Sequence, residues 1–205
     1  MRGLYAITCE RGDLGRSHAD VARAAIDAGA RVVQFRDKER PDAGFLAAAL
    51  PVRDLCRAQG VMYVVNDRLT AALALEADGV HLGRDDLAQL DGWERAGSML
   101  LGVSVRTPEE AIEAVRLGAD YVGVGPVFAT GTKPDAGEPI GLDGLRAIRA
   151  AVDVPVAAIG GIGLSEVRGV LGAGADAVCA VSAIAYAPDM RAAAAGLAAE
   201  VTRWA

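Results

Sequence analysis

Residues 118–125 read "GADYVGVG", and versions of the same phrase stand at 29–35 ("GARVVQF"), 76–83 ("EADGVHLG") and 174–181 ("GADAVCAV"). Each is a helix stop followed at once by an apolar run. Gly29, Gly118 and Gly174 come where a helix needs a left-handed cap, a conformation that costs glycine little. The four phrases fall on the second, fourth, sixth and eighth apolar runs of the chain, so the repeating unit is two strand–helix pairs. A unit of that length suits a closed eight-stranded barrel better than a stacked solenoid.

Working outward, strands are expected at Leu4–Thr8, Val32–Arg36, Tyr63–Asn66, Gly79–Leu82, Leu101–Ser104, Tyr121–Gly125, Val156–Ile159 and Ala177–Val181. They are mostly continuous Val/Ile/Ala runs, the pattern of parallel strands covered on both faces. Helical periodicity predicts helices over His18–Ala28, Ala43–Gln59, Thr70–Glu76, near Gly92–Gly97, and over Pro108–Leu117, Leu142–Ala151, Ser165–Leu171 and Met190–Arg203. Thr107 before Pro108, with Glu109 and Glu110 next, reads as an N-cap, a proline at the first helical position and acids on the positive end of the dipole. A doubly wound open sheet is the competing architecture, but "CERGDLGRS" (9–17) stands where a G-x-G-x-x-G would open the first helix. The expectation is an α/β protein, a (β/α)8 TIM barrel forming one domain over residues 1–205.

The chain has 205 residues, a hydrophobic fraction of 52 % and a positive mean hydropathy, which describes a packed protein rather than a disordered one. Its apolar stretches are broken well short of a bilayer span, and "MRGLYAIT" lacks a signal-peptide layout, so a cytoplasmic protein with no membrane partner is expected. Cys9, Cys56 and Cys179 are odd in number and widely separated, neither a disulfide framework nor zinc-ligand spacing. A net charge of −6 and a pI near 5.0 argue against nucleic-acid binding, so any cationic function belongs to a local pocket.

In such a barrel the chemistry sits on loops leaving the C-terminal ends of the strands. The second strand leaves through "QFRDK", where Gln34, Arg36 and Lys38 alternate and so share one face: an amide, a planar cation and a point cation, a set suited to a diphosphate. Taken alone, the stretch reads equally as a solvated charged loop. The third strand ends in "VVNDR" with Asn66 and Asp67, and the fourth in "GVHLGRDD" with His81, Asp85 and Asp86. Adjacent strands bring Asp67 and Asp86 within reach of one ion, and two carboxylates with phosphate oxygens and water make the hard-oxygen shell of Mg²⁺. Helix capping is the competing role for both. His81, inside its strand, reads as a hydrogen-bonded core residue rather than a ligand or base.

The fifth strand presents Ser104, either a ligand donor or the start of a turn. The sixth opens into "GPVFATGTKPDAGEPIG" (125–141), too long for a tight connection and carrying Thr130, Thr132 and Lys133 at its mouth, which marks a mobile functional loop. The seventh and eighth end in "AIGGIGLSEV" and "AVSAI", where the amides of Gly160, Gly161, Val181 and Ser182 can approach an anion at a helix start. The rim therefore offers two anion sites, one cationic and metal-assisted, the other built of neutral backbone. No Ser–His–Asp array or Schiff-base lysine is evident, which disfavours covalent catalysis.

In their order, "YAIT", "QFRDK", "VVNDR", "ADGVHLGRDD", "GVSVRT", "GADYVGVGPVFATGTK", "PVAAIGGI" and "AVSAI" resemble the thiamine-phosphate synthase family over nearly the full chain. The resemblance implies a (β/α)8 barrel that joins hydroxymethylpyrimidine diphosphate to thiazole phosphate, with diphosphate leaving first. It implies that Gln34, Arg36, Lys38, Asn66, Ser104 and Lys133 hold the pyrimidine diphosphate, Ser104 and Lys133 being catalytic, with Asp67 and Asp86 on Mg²⁺. It assigns Thr130, Thr132, Gly161, Val181 and Ser182 to the thiazole phosphate and makes the Lys133 loop a lid. Phosphorylated small molecules are the implied partners, and a homo-oligomer is left open. Cys9 and Arg84 depart from the family's usual acid and glutamine. A thiazole tautomerase of the sister family and a non-catalytic phosphate-binding barrel are the alternatives.

Overall fold

The computed structural model of the chain describes residues 1–83, 86, 97–132 and 136–204. Eight strands, β1 (Gly3–Ile7), β2 (Val32–Phe35), β3 (Met62–Asn66), β4 (Gly79–Leu82), β5 (Leu100–Val105), β6 (Tyr121–Val124), β7 (Val156–Ala158) and β8 (Ala177–Ala180), pair in order and all in parallel. Pairing of β8 with β1, Gly3 opposite Ala177 and Ala6 opposite Ala180, closes the (β/α)8 TIM barrel. The described helices are α1 (His18–Asp27), α2 (Asp42–Gln59), α3 (Leu69–Ala74), α4 (Pro108–Arg116), α5 (Gly141–Ala151), α6 (Val167–Gly172), α7 (Ser182–Ala185) and α8 (Met190–Trp204). The helix expected near Gly92–Gly97 falls almost wholly outside the described residues.

The repeated phrase has a hydrogen-bonding explanation. Its acid ties each even strand to the odd strand before it: Asp78 donates its N–H to the Tyr63 carbonyl, and its carboxylate accepts from the N–H of the same Tyr63 at 2.7 Å. Asp120 repeats this with Leu101 and Asp176 with Val156. A strand start otherwise exposes an unpaired N–H, and the carboxylate satisfies it. In the second strand's version Arg31 replaces the acid, keeping the backbone bond to the Leu4 carbonyl without the side-chain one. The residues that open the four phrases do adopt positive φ, 93° at Gly29, 96° at Gly118 and 98° at Gly174, with Glu76 at 48° in the fourth.

Outward-facing Val33, Phe35, Val65, Val80, Val103 and Val122 pack against the alanine-rich faces of the helices, through Val21, Ala25, Ala49, Ala111 and Ile148. Inward-facing Tyr5, Val32, Val64, Tyr121, Ala157 and Ala177 fill the barrel, with Met1 and Met62 packed against them. Both faces of the strands are thus buried, which is why their sequences run rather than alternate. Thr107 caps α4 by accepting from the Glu110 N–H, with Pro108 in the first turn. A short 3₁₀ turn at Gly12–Leu14 and the one-turn α7 interrupt the simple strand–helix alternation. Among the described residues no helix is long and apolar enough to cross a membrane.

Candidate active site

A cavity of about 750 Å³ opens at the C-terminal ends of the strands. One arc of its wall carries Gln34, Arg36, Lys38, Asn66, Asp67, Asp86 and Ser104 from the ends of β2 to β5. The other carries Thr130, Thr132, Gly160, Gly161, Val181 and Ser182, which follow β6, β7 and β8. Lys133, Arg84 and Asp85 lie outside the described residues.

The cationic arc is organised by a turn at Asp67, which has a φ of 63° although it is not glycine. Acidic and amide side chains tolerate this region better than most, and an outlier beside a cavity marks a side chain held for a purpose. The Asp67 N–H donates to the His81 carbonyl at 2.8 Å and the Arg68 N–H to the Asn66 carbonyl at 2.8 Å. Arg68 is anchored on Asp42 and over the Phe45 ring, which fixes the turn from behind. Asp67 is therefore turned to the rim, where its Oδ2 lies 3.1 Å from Lys38 Nζ. Burial, and then the negative charge of Asp67, push the Asp86 carboxyl above its ordinary range. A carboxyl whose ionisation a neighbouring carboxylate opposes belongs to a donor set that a hard divalent cation relieves.

The neutral arc is built of backbone. Gly160 and Gly161 have φ of 102° and 63°; a Cβ on the first would lie 2.6 Å from Pro126, and one on the second would strike the Ala129 carbonyl. The two loops are thus interlocked, with the Phe128 N–H donating to the Gly160 carbonyl at 3.0 Å. Ser182 opens α7, and Thr132 Oγ1 donates to Ser182 Oγ at 3.1 Å, tying the β6 loop to the β8 loop across the cavity mouth. The Thr132 N–H bonds Thr130 Oγ1 at 3.2 Å.

Between the arcs, Gln34, His81 and Ser104 meet Tyr5 and Tyr121 on the cavity floor, and the sequence discloses no role for the two tyrosines. Gln34 Nε2 donates to Tyr5 Oη at 2.7 Å, Tyr5 Oη lies 3.0 Å from Tyr121 Oη, Tyr121 Oη lies 3.0 Å from His81 Nδ1, and His81 Nε2 lies 2.9 Å from Ser104 Oγ. Inward-facing glycines make room for the rings: a Cβ at Gly102 would collide with Tyr121, and one at Gly123 would come within 2.7 Å of His81 Cε1. Burial lowers the His81 pKa to about 4, against the opposing charge of Asp67, and raises both tyrosines. His81 is a hydrogen-bonded residue, as its place within β4 suggests, yet it also lines the cavity. The signal that could have found Tyr5 and Tyr121 is their alternation with Ile7 and Gly123 on inward-facing strand positions.

Arg106 also lines the cavity. It donates Nη2 to the Glu138 carbonyl at 2.7 Å and its backbone N–H to Glu110 Oε2, so the far end of the β6 loop is pinned to the start of α4. Among the described residues, Glu10, His18 and Asp37 form a cluster of metal-ligand type outside the cavity lining. The Arg40 guanidinium bonds both acids there, so the two carboxylates already share a cation. Burial raises the Cys9, Cys56 and Cys179 thiols, which makes them small apolar residues rather than nucleophiles.

Residues 4–184 match the family model described as thiamine monophosphate synthase. The chain is 52 % identical to a thiamine-phosphate synthase of Chloroflexus aurantiacus over 93 % of its own length and 88 % of the relative's. It is 46 % identical to one from Moorella thermoacetica, covering 98 % and 96 %. Among solved structures, a thiamine phosphate pyrophosphorylase from Pyrococcus furiosus superposes with a TM-score of 0.89 at 39 % identity, over 98 % of this chain and 96 % of that one.

Proposed function

The chain belongs to the thiamine monophosphate synthase family, and from that premise we propose that it transfers a hydroxymethylpyrimidine group from its diphosphate to a thiazole phosphate. The products are thiamine phosphate and diphosphate. The observation that carries this reading is the pairing, in one cavity, of a cationic, carboxylate-bearing arc with a neutral backbone arc. A diphosphate and a monophosphate ask for those two environments, and their reacting ends then meet over the floor between them.

In this reading Arg36 and Lys38 bind the diphosphate oxygens and stabilise the charge that grows on them as the bond to the pyrimidine methylene breaks. Asn66, Gln34 and Ser104 orient the pyrimidine ring. The thiazole phosphate sits on Gly161, Val181 and Ser182, with Thr130 and Thr132 at its side, so that the ring nitrogen faces the departing group. Asp67 and Asp86 would hold Mg²⁺, which supplies neutralisation of the leaving diphosphate when bound. Lys133 follows Thr132 directly in sequence and would bring a further cation to the same group as its loop closes, excluding water. Bond breaking ahead of bond making asks neither a nucleophile nor a proton carrier of the floor. The same reading makes residues 1–205 one domain, working in the cytoplasm on phosphorylated small molecules.

The test is diphosphate release from the two purified substrates. Release that needs both substrates and Mg²⁺ is expected. Isomerisation of the thiazole phosphate alone, or no turnover at all, would replace this reading with a tautomerase or a binding module.

A further inference from the structure

We infer that Tyr5, Tyr121 and His81 are positioning residues that fix the polarity of Ser104, so that its hydroxyl meets the substrate as a hydrogen-bond donor. The inference rests on the synthase reading only for the identity of that substrate. It follows from proton counting along the chain of contacts on the cavity floor.

The chain begins at Gln34 Nε2, an amide nitrogen that can only donate, 2.7 Å from Tyr5 Oη. Tyr5 Oη accepts there and has one proton of its own, which goes to the Tyr121 oxygen 3.0 Å away. Tyr121 in turn has one proton, and the neighbour left to take it is His81 Nδ1 at 3.0 Å. An Nδ1 that accepts belongs to a neutral imidazole, whose single N–H is then on Nε2. That N–H points to Ser104 Oγ at 2.9 Å. Ser104 therefore accepts from the protein and turns its own proton into the cavity it lines.

The consequence is chemical selectivity. A hydroxyl locked as a donor reads an acceptor, such as the lone pair of an aromatic ring nitrogen or an ester oxygen of a diphosphate. It disfavours an amino group in that place, because two donors would face each other. Both tyrosines are about 1 % exposed, so water does not scramble the order from below. Had Gln34 turned its carbonyl to Tyr5, every proton in the chain would reverse and Ser104 would offer lone pairs instead.

The two orders differ in one observable, the tautomer of His81. The protein has 2 histidines, so ¹⁵N NMR of the ligand-free protein at neutral pH, with His18→Gln used for assignment, reads it directly. The expected result is the Nε2–H form. The Nδ1–H form or an imidazolium overturns the proposal. Tyr121→Phe, which keeps the ring, should mix the tautomers and lower kcat about tenfold, the worth of one orienting hydrogen bond, while the KM for thiazole phosphate stays unchanged. Tyr5→Phe/Tyr121→Phe should be no slower than Tyr121→Phe alone, because the chain acts as a unit. A Tyr121→Phe protein with unaltered tautomer and unaltered kcat also overturns it. The NMR result stands apart from the reaction: an Nε2–H imidazole in a protein that releases no diphosphate supports the proton order and removes the synthase reading.

Discussion

Lys38 Nζ and Asp67 Oδ2 are 3.1 Å apart, an ion pair joining the loop ends of β2 and β3 at the cavity rim. The Lys38 side chain is 48 % exposed, so the pair is weak and a diphosphate can take over the ammonium at small cost.

Lys38→Met should therefore act on the substrate rather than on the fold. The KM for the pyrimidine diphosphate is expected to rise by about 10- to 100-fold, as for loss of one charge-assisted contact, with the thermal midpoint and the KM for thiazole phosphate nearly unchanged. Steady-state kinetics with each substrate varied in turn measures the split.

The Mg²⁺ role proposed for Asp67 and its left-handed backbone are separated by different substitutions. Asparagine tolerates the left-handed backbone, so Asp67→Asn should keep the midpoint while lowering Mg²⁺-dependent turnover by about 100-fold or more. Alanine does not, so Asp67→Ala should lose about 1 kcal/mol of stability as well. Thermal unfolding set beside Mg²⁺ titration of the rate distinguishes them, and equal stabilities would remove the strain argument.

Lys133→Ala is expected to lower kcat by about 100-fold or more with little change in thiazole phosphate affinity, because its charge is needed as the leaving group departs. Calorimetric binding and single-turnover rates test this. A variant that turns over normally would end the lid reading.

Gly161→Ala would place a methyl group against the Ala129 carbonyl at a φ of 63°. The expected cost is about 1–3 kcal/mol of stability, with weaker thiazole phosphate binding, since the loop must move off its neighbour to accept the methyl. Denaturant unfolding and a phosphate-competition assay read the two effects.

Stability should fall on mild acidification. Burial lowers both histidine pKa values, His81 to about 4 despite Asp67, and His18 below its usual value despite Asp37. The unfolded chain takes up these protons near pH 6.5 and the folded one resists, so the contribution is whole above about pH 6.5 and is lost as pH falls towards the folded values. Between pH 7.5 and 5 the loss from His81 is expected to be about 1–2 kcal/mol, the lower figure allowing for solvent reaching the ring through the cavity. His81→Gln should flatten that slope in urea titrations.

The barrel is legible in the sequence because strands buried on both faces must be apolar throughout, and because three of the four repeated helix stops, at Gly29, Gly118 and Gly174, are glycines doing something only glycine does cheaply, with Glu76 in the fourth. Strand ends shift by a residue: β5 runs on to Val105, which still pairs with Val124, while β1, β2, β6, β7 and β8 stop at Ile7, Phe35, Val124, Ala158 and Ala180, one residue before their expected ends. The rim residues are legible only as a set, because Arg36, Lys38 and Asp67 each have a bland alternative as charged-loop or capping residues until the strand ends are read together. The floor is not. Tyr5 and Tyr121 are 116 residues apart and read as ordinary strand aromatics; only ring closure sets their hydroxyls together. The one-turn α7 is equally hidden, because a single turn held by the Val181 carbonyl leaves no periodic pattern to detect.

The seam between β8 and β1 has a bearing on how the enzyme comes into being. During translation the ribosome releases strands in order, and each can settle against its predecessor, but the first strand has only one neighbour until Ala177–Ala180 emerges. The aromatic floor leans on that first strand, and one phosphate cradle follows the last. The floor and the cradle that follows the last strand are therefore completed together, and a pocket able to hold both substrates at once should arrive with the closing strand rather than by stages.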